Sequence, residues 1–308
     1  MQAASEFRSS AFVAGYFALW AATFVFLKSR SSFGVEEALA AFVILGLIFP
    51  ALALLTTRRA TPLSHSVRRP GFETAILIAC LVAITIIVVC GFAGAVRITT
   101  EPLHSVVLLG AKLIIFVVFP ATVLVALGRY RLSELIPTSF RWASLRPAMW
   151  MALAGLLMES VLGRGLRDIH SARPPAGALA LAVPLCFAWL AVEVGVVEEF
   201  FFRALLQERL AAWLRSSWGG LIIAALLFGL MHAPGFYLRP AATQEMRGAH
   251  PSLLLAIGYS IIVTSTAGLF LGVLWMRTKN FAVVVIVHAA CDLLPGVLPW
   301  ARAFHLVQ

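Results

Sequence analysis

Of the 308 residues, 61% are hydrophobic and 12% charged, and the mean hydropathy is +0.95. A soluble domain of this length has about a quarter of its residues charged, so there is too little polar surface here to cover a water-soluble globule. The net charge of +10 comes without basic runs interleaved with exposed aromatics; it sets nucleic acid aside as a partner and points to loops facing anionic membrane lipid.

A bilayer core is crossed by about 20 apolar residues per helix. Apolar runs near 11–27, 35–56, 73–96, 103–127, 147–162, 177–200, 218–236, 252–276 and 280–300 predict an all-α, polytopic transmembrane bundle of eight or nine helices. The weakest of these are the short fifth run and the last, which contains Pro295 and Pro299. The first run is followed by Lys28-Ser29-Arg30 rather than a small-x-small cleavage site and reads as an uncleaved anchor. The C-terminal residues carry no lipidation signal. Cys80, Cys90, Cys186 and Cys291 all sit in apolar runs with no C-x-x-C pair, so neither a disulfide framework nor a cysteine-ligated metal is expected.

Loop charges orient the chain. With the N-terminus inside, the inner side holds Arg8, Arg58, Arg59, Arg68, Arg69, Arg129, Arg131, Arg141, Arg146, Arg209, Arg215, Arg277 and Lys279, against nine basic residues outside, among them Arg97, Arg239 and Arg247. That bias favours a cytoplasmic N-terminus. Arginine far outnumbers lysine, which occurs only at Lys28, Lys112 and Lys279; this usage fits a GC-rich bacterial genome and a multi-pass protein of the bacterial inner membrane.

Ionisable groups inside hydrocarbon cost several kcal/mol unless paired, so they are functional candidates by default. Three clusters stand out. In Glu198-Glu199-Phe200-Phe201-Phe202-Arg203, Glu199 and Arg203 lie four apart on one helical face in the favoured order for an ion pair, while Glu198 points about 100° away. Arg203 then fixes Glu199 and leaves Glu198 for proton transfer; an interfacial helix end with snorkelling charges is the plainer alternative. In Phe228-Gly229-Leu230-Met231-His232, the histidine follows a long apolar run and precedes Pro234 and Gly235. A lone membrane histidine is most often an inter-helix hydrogen-bonder. In His288-Ala289-Ala290-Cys291-Asp292, the histidine and aspartate are again four apart and face one direction, which suits a catalytic pair or a self-satisfied one. If the three helices pack, a buried Glu/His/His/Asp site forms. A glutamate beside a histidine can deprotonate water and later protonate a leaving amine, and a second histidine can donate to the oxyanion of a tetrahedral intermediate.

The order E-E-x-x-x-R, F-x-x-x-H and H-x-x-x-N/D, each on a hydrophobic segment, resembles the CPBP (ABI) family. These are the type II CAAX prenyl proteases and their bacterial relatives linked to bacteriocin processing and immunity. The resemblance covers roughly 180–300 and includes Phe202-Arg203-Ala204-Leu205-Leu206 and Gly268-Leu269-Phe270-Leu271-Gly272. It implies two parts: subgroup-specific transmembrane helices over 1–145 and a protease core over 146–308. It implies Glu198 as the water-activating glutamate, His232 as its partner, His288 and Asp292 as the oxyanion pair, and Glu199 and Arg203 as supporting residues. Well-studied members carry Asn where this chain has Asp292, and an ionised aspartate cannot donate a hydrogen bond. Asp292 is therefore either protonated or orients His288.

The implied activity is an intramembrane endopeptidase. Its candidate substrates are the C-terminal sorting tail of an exported protein, a leader peptide or a lipid-anchored protein, a literal CAAX substrate being the least expected. The sequence has no H-E-x-x-H, no G-x-S-G and no G-x-G-D. Glu198, His232 and His288 are also a set that can hold zinc with one open position. The Glu–Arg pair puts positive charge close to where that cation would sit, so no cofactor is the favoured expectation. A non-catalytic immunity or transport protein is the alternative from another class; a transporter would show matching broken helices in two halves, and the polar cluster is confined to the C-terminal part.

The other ionisable residues receive plainer expectations. Lys112 snorkels or pairs within the N-terminal bundle ahead of contacting substrate. Glu193 and Glu159 bond between helices. His65, His170 and His250 fall in loops, His104 near a span start and His305 at the terminus.

Overall fold

The computed structural model describes residues 2–30, 34–58, 67–95, 100–135, 145–238 and 252–307. Among them all regular structure is helical, in eleven helices. In chain order these are α1 (Gln2–Arg30), α2 (Val35–Thr56), α3 (Pro70–Ala95), α4 (Leu103–Gly128), α5 (Leu132–Leu135), α6 (Leu145–Leu162), α7 (Gly165–Ala172), α8 (Ala176–Leu214), α9 (Ser217–Leu238), α10 (Leu253–Thr278) and α11 (Phe281–Ala303). All but α5 and α7 are long and apolar enough to cross a bilayer, nine spans among the described residues. Both doubtful runs form helices. α11 carries Pro295 and Pro299 inside it, each removing one backbone hydrogen bond without ending the helix, as neighbouring helices in a membrane bundle permit. Arg59, Arg97, Arg141, Arg239, Arg247, His65 and His250 lie outside the described residues, and His170 belongs to α7 rather than to a loop.

α10 and α11 are 56% buried over their most apolar stretch and α9 44%, against 17–33% for the other spans. The last three helices therefore form the interior, and the rest surround them with apolar side chains turned outward, such as Val25, Ile86, Trp150 and Val161. One hydrophobic core runs from Tyr16 on α1 to Val287 on α11, so the first helices pack into the same interior as the last. Small residues bring α9 and α10 together: a Cβ on Gly229 would lie 2.6 Å from the Ser260 carbonyl oxygen, and one on Gly268 would lie 3.0 Å from Ala225 Cα. α1 is pinned to α10 by Tyr16, whose hydroxyl is 2.8 Å from Ser265 Oγ, and by Trp20, which donates to the Ile262 carbonyl.

Four helices, α4, α7, α8 and α10, are followed by a basic residue in the left-handed conformation: Arg129, Arg173, Arg215 and Lys279. Glycine usually takes that position. A cation there faces the negative end of the helix dipole, which offsets the strain. Arg129, Arg215 and Lys279 share one face of the bundle, where Lys279 pairs with Glu208 and Arg277 donates to the Thr57 carbonyl.

Candidate active site

α8 is the longest span, 39 residues, and runs well past the 177–200 expected from hydropathy. Its polar stretch stays helical because other helices supply partners. It widens to π geometry over Ala191–Val196 and again over Phe200–Gln207, leaving Val197–Glu199 as a single α turn between them. Such π segments concentrate at functional sites, where the extra residue re-aims side chains.

That length brings the three motifs to one depth. Glu198 lies sixteen residues before the end of α8 at Leu214, and His232 lies fifteen residues after the start of α9 at Ser217. At ~1.5 Å per residue, both stand roughly 23 Å from the turn that joins the two helices. The same face fixes α11. Lys279 meets Glu208, which is ten residues along α8 from Glu198, and His288 is nine residues along the chain from Lys279. Had α8 ended at 200, Glu198 and His232 would have stood on opposite sides of the membrane.

Glu198 Oε2 is 3.9 Å from His232 Nε2 and 4.0 Å from His288 Nε2. It is buried and accepts no hydrogen bond from the protein among the described residues. His232 Nδ1 is 2.8 Å from the Phe228 carbonyl oxygen. A carbonyl only accepts, so Nδ1 carries the proton, and the Nε2 of neutral His232 presents a lone pair toward Glu198. His288 Nδ1 is 2.8 Å from Glu199 Oε1 and donates to that carboxylate. Its Nε2 then faces both Glu198 and Asp292 Oδ2, the latter at 3.7 Å. Glu199, not Asp292, is the carboxylate within hydrogen-bond reach of His288.

Glu199 serves a second partner. Arg203 Nε is 3.1 Å from Glu199 Oε2, and both side chains are fully buried. The Arg203 guanidinium also stacks over the Phe228 ring at 4.6 Å, a cation–π contact that helps to replace lost hydration. The Phe228 ring lies 4.8 Å from the His232 ring and 6.2 Å from that of His288. This gives the phenylalanine of F-x-x-x-H its reason: its carbonyl sets the His232 tautomer, and its ring covers the arginine and walls both imidazoles. Sequence spacing alone marked Phe228 without showing these roles.

Residues 180–294 match the family model of Rce1-like, type II CAAX prenyl endopeptidases. That stretch, a little over a third of the chain, is similar to those proteases. Comparison with curated proteins and with solved structures gave no match. The Rce1-like stretch holds all six residues singled out by the motifs: Glu198, Glu199, Arg203, His232, His288 and Asp292. With the nine apolar spans among the described residues, it supports a multi-pass membrane protein carrying a CAAX-protease-like region.

Next to the Rce1-like site the structure corrects one expectation. Lys112 on α4 pairs not within the N-terminal helices but with Glu193 on α8, at 2.8 Å. The available signal was complementarity: a lone cation and a lone carboxylate, each in the middle of an apolar run. Among the described residues no group of three His, Cys, Asp or Glu side chains has the spacing to hold a metal ion.

Proposed function

We propose that the protein is an intramembrane endopeptidase that hydrolyses a peptide bond of a membrane-associated or C-terminally tailed substrate with a water activated by Glu198. The observation that carries this reading is the 3.9 Å separation of Glu198 Oε2 from His232 Nε2. Two ordinary hydrogen bonds of ~2.8 Å to one water close that gap with an angle of roughly 90° at the oxygen. A water so held gives one proton to each acceptor and turns a lone pair outward, toward a carbonyl carbon.

Glu198 takes the proton as the water oxygen bonds to that carbon. The carbonyl π pair moves onto oxygen, and His288, charged and held by Glu199, donates from Nε2 to the oxyanion. Glu198 then passes its proton to the amide nitrogen, the C–N bond breaks, and the products are a carboxylic acid and an amine. Asp292 stands at the open edge beside His288. Glu199 and Arg203 do not touch the reacting atoms in this scheme; they fix His288.

Zinc held by Glu198, His232 and His288 is the second reading. The arrangement that favours it is that each histidine has Nδ1 engaged and Nε2 turned to the carboxylate, as ligating histidines do. The Arg203–Glu199 pair beside the site supports the metal-free scheme. The membrane is proposed to be a bacterial inner membrane with the N-terminus cytoplasmic, which puts the basic face of Arg129, Arg215 and Lys279 inside.

The test is cleavage of a lipid-anchored or tailed substrate by Glu198→Gln and His232→Ala, alongside metal analysis of the purified wild type. A loss of ~10²–10⁴-fold in both variants is expected, with no stoichiometric zinc and no inhibition by chelators. Cleavage at the wild-type rate by either variant overturns the mechanism; one zinc per chain, lost together with activity, moves it to the metal scheme.

A further inference from the structure

The end of the bundle opposite Arg129, Arg215 and Lys279 carries an open cavity of about 380 Å³ between α7 and the last turns of α11. Asp168 and Ser171 line it from α7, and Pro295, Pro299 and Arg302 from α11. Main chain fixes its shape. A Cβ on Gly165 would lie 2.3 Å from the Leu294 carbonyl oxygen, so α7 starts in close contact with the backbone of α11.

The cavity presents one charge of each sign. Among the described residues Asp168 forms no ion pair, with Arg302 or with any other cation. Arg302 offers five donors in a fork that fits a phosphate. Pro299 has no N–H, so the Pro295 carbonyl lacks the donor that a residue four further on ordinarily gives it. Ser171 adds a hydroxyl. Acceptors grouped with Asp168 thus share one cavity with the donors of Arg302, and the matching ligand carries an N–H-bearing cation and an anion. Depth narrows its source. α7 is a short charged helix that joins the spans α6 and α8, flanked by Arg164 and Arg173, and α11 ends at Ala303. These features belong at the level of lipid headgroups. Leu157, Val161 and Leu162 of the adjoining α6 and Leu166 of α7 stand exposed, an apolar strip along which acyl chains can lie.

We propose that this cavity binds the headgroup of a phospholipid with a primary ammonium, of the phosphatidylethanolamine type. The phosphate takes the Arg302 guanidinium. The ammonium takes Asp168, with the Pro295 carbonyl and the Ser171 hydroxyl as its further acceptors. The cavity continues the face of α11 that carries the site: His288, Asp292, Pro295, Pro299 and Arg302 follow at intervals of four, three, four and three, one helical stripe. Pro295 stands ~4.5 Å and Arg302 ~15 Å beyond Asp292 along the axis. The headgroup clamps this end of α11, where two prolines remove backbone hydrogen bonds, to α7, and so steadies the helix that presents His288.

The test is native mass spectrometry and thermal unfolding of the whole chain in detergent, titrated with phosphatidylethanolamine, phosphatidylcholine or phosphatidylglycerol of the same acyl chains. The choline headgroup keeps the charge but has no N–H, and the glycerol headgroup has no cation. The ethanolamine lipid is expected to bind about 10-fold more tightly than either, the size of one charge-assisted hydrogen bond, and to raise the melting temperature most. Asp168→Asn brings it down to the level of the choline lipid. Arg302→Gln weakens all three lipids, and Arg215→Gln, at the opposite end of the bundle, leaves the preference intact. Equal binding of the three lipids by the wild type, an unchanged preference in Asp168→Asn, or release of the bound lipid by an equal concentration of free phosphoethanolamine overturns the proposal. Binding and melting are read without a substrate, so the outcome stands whether or not the protein cleaves a peptide.

Discussion

Glu199 holds two partners at once: Oε1 is 2.8 Å from His288 Nδ1 and Oε2 is 3.1 Å from Arg203 Nε. One buried carboxylate thus joins the second histidine of the site to the guanidinium that neutralises it, across 89 residues of sequence. Replacing Glu199 by Gln keeps a hydrogen-bond acceptor for His288 but removes the charge opposite a fully buried arginine. Breaking a buried pair by removing one partner costs about 3–5 kcal/mol. Glu199→Gln is therefore expected to lower thermal stability markedly as well as activity, whereas Glu198→Gln, which breaks no ion pair closer than 3.9 Å, lowers activity alone. Thermal unfolding in detergent beside a cleavage assay distinguishes them; equal melting of the two variants contradicts the division of labour.

How much of this was legible in the sequence follows from where the partners come from. The nine spans were readable because hydropathy is a local property, and the i, i+4 spacing of Glu199 and Arg203 was readable because a helix makes it local. Convergence of Glu198 with His232 requires α8 to continue past Arg203, but its run to Leu214 was not legible in hydropathy. Arg203, Gln207, Glu208 and Arg209 interrupt the apolar run, and only distant residues make them affordable. Gln207 donates to the Gly272 carbonyl, Glu208 accepts from Trp275, and Arg209 bonds Glu73. The contact between Glu199 and His288 was hidden for the same reason, since spacing within a motif cannot report a bond between motifs.

Asp292 stands at the edge of the site with 42% of its side chain open and Oδ2 3.7 Å from His288 Nε2. If its duty is to donate to the oxyanion, an asparagine of the same shape does this without needing a proton. Asp292→Asn is expected to cleave within about threefold of wild type, and Asp292→Ala to lose ~10²-fold, the scale of one oxyanion donor. Steady-state rates decide it. An asparagine variant as damaged as the alanine one shows that the negative charge beside His288 is what matters.

Gly229 lies three residues before His232, where α9 touches α10. A Cβ there meets the Ser260 carbonyl at 2.6 Å and Ser265 at 2.9 Å, so backbone must move. Gly229→Val is expected to cost about 1–3 kcal/mol, as overpacking does, and to cut kcat beyond what the loss of folded protein explains. His232 rides on the displaced helix, and in the proposed scheme its spacing to Glu198 positions the water. Activity per folded molecule, measured below the melting temperature, is the readout; a variant with normal specific activity shows that the close approach serves packing only.

On the basic face, Glu73 on α3 is enclosed by three donors. Arg209 Nε of α8 is 3.0 Å away, the Tyr130 hydroxyl donates at 2.9 Å and the Arg69 amide at 2.7 Å. The Arg209 and Glu73 side chains are 4% and 0% exposed. This pair joins the helices before the family-matched stretch to the far end of the site-bearing helix, some 11 residues from Glu198. Either single change, Glu73→Gln or Arg209→Met, strands the opposite charge and is expected to destabilise by about 3–5 kcal/mol. The double variant Glu73→Leu/Arg209→Met removes both charges, and buried pairs replaced by apolar side chains are often neutral or better. It should therefore recover most of the loss, and because Glu198, His232 and His288 are untouched it should recover cleavage as well. A double-mutant cycle on melting temperature and rate measures this; additive losses would show that the pair is not coupled and that α3 is held to α8 by apolar packing instead.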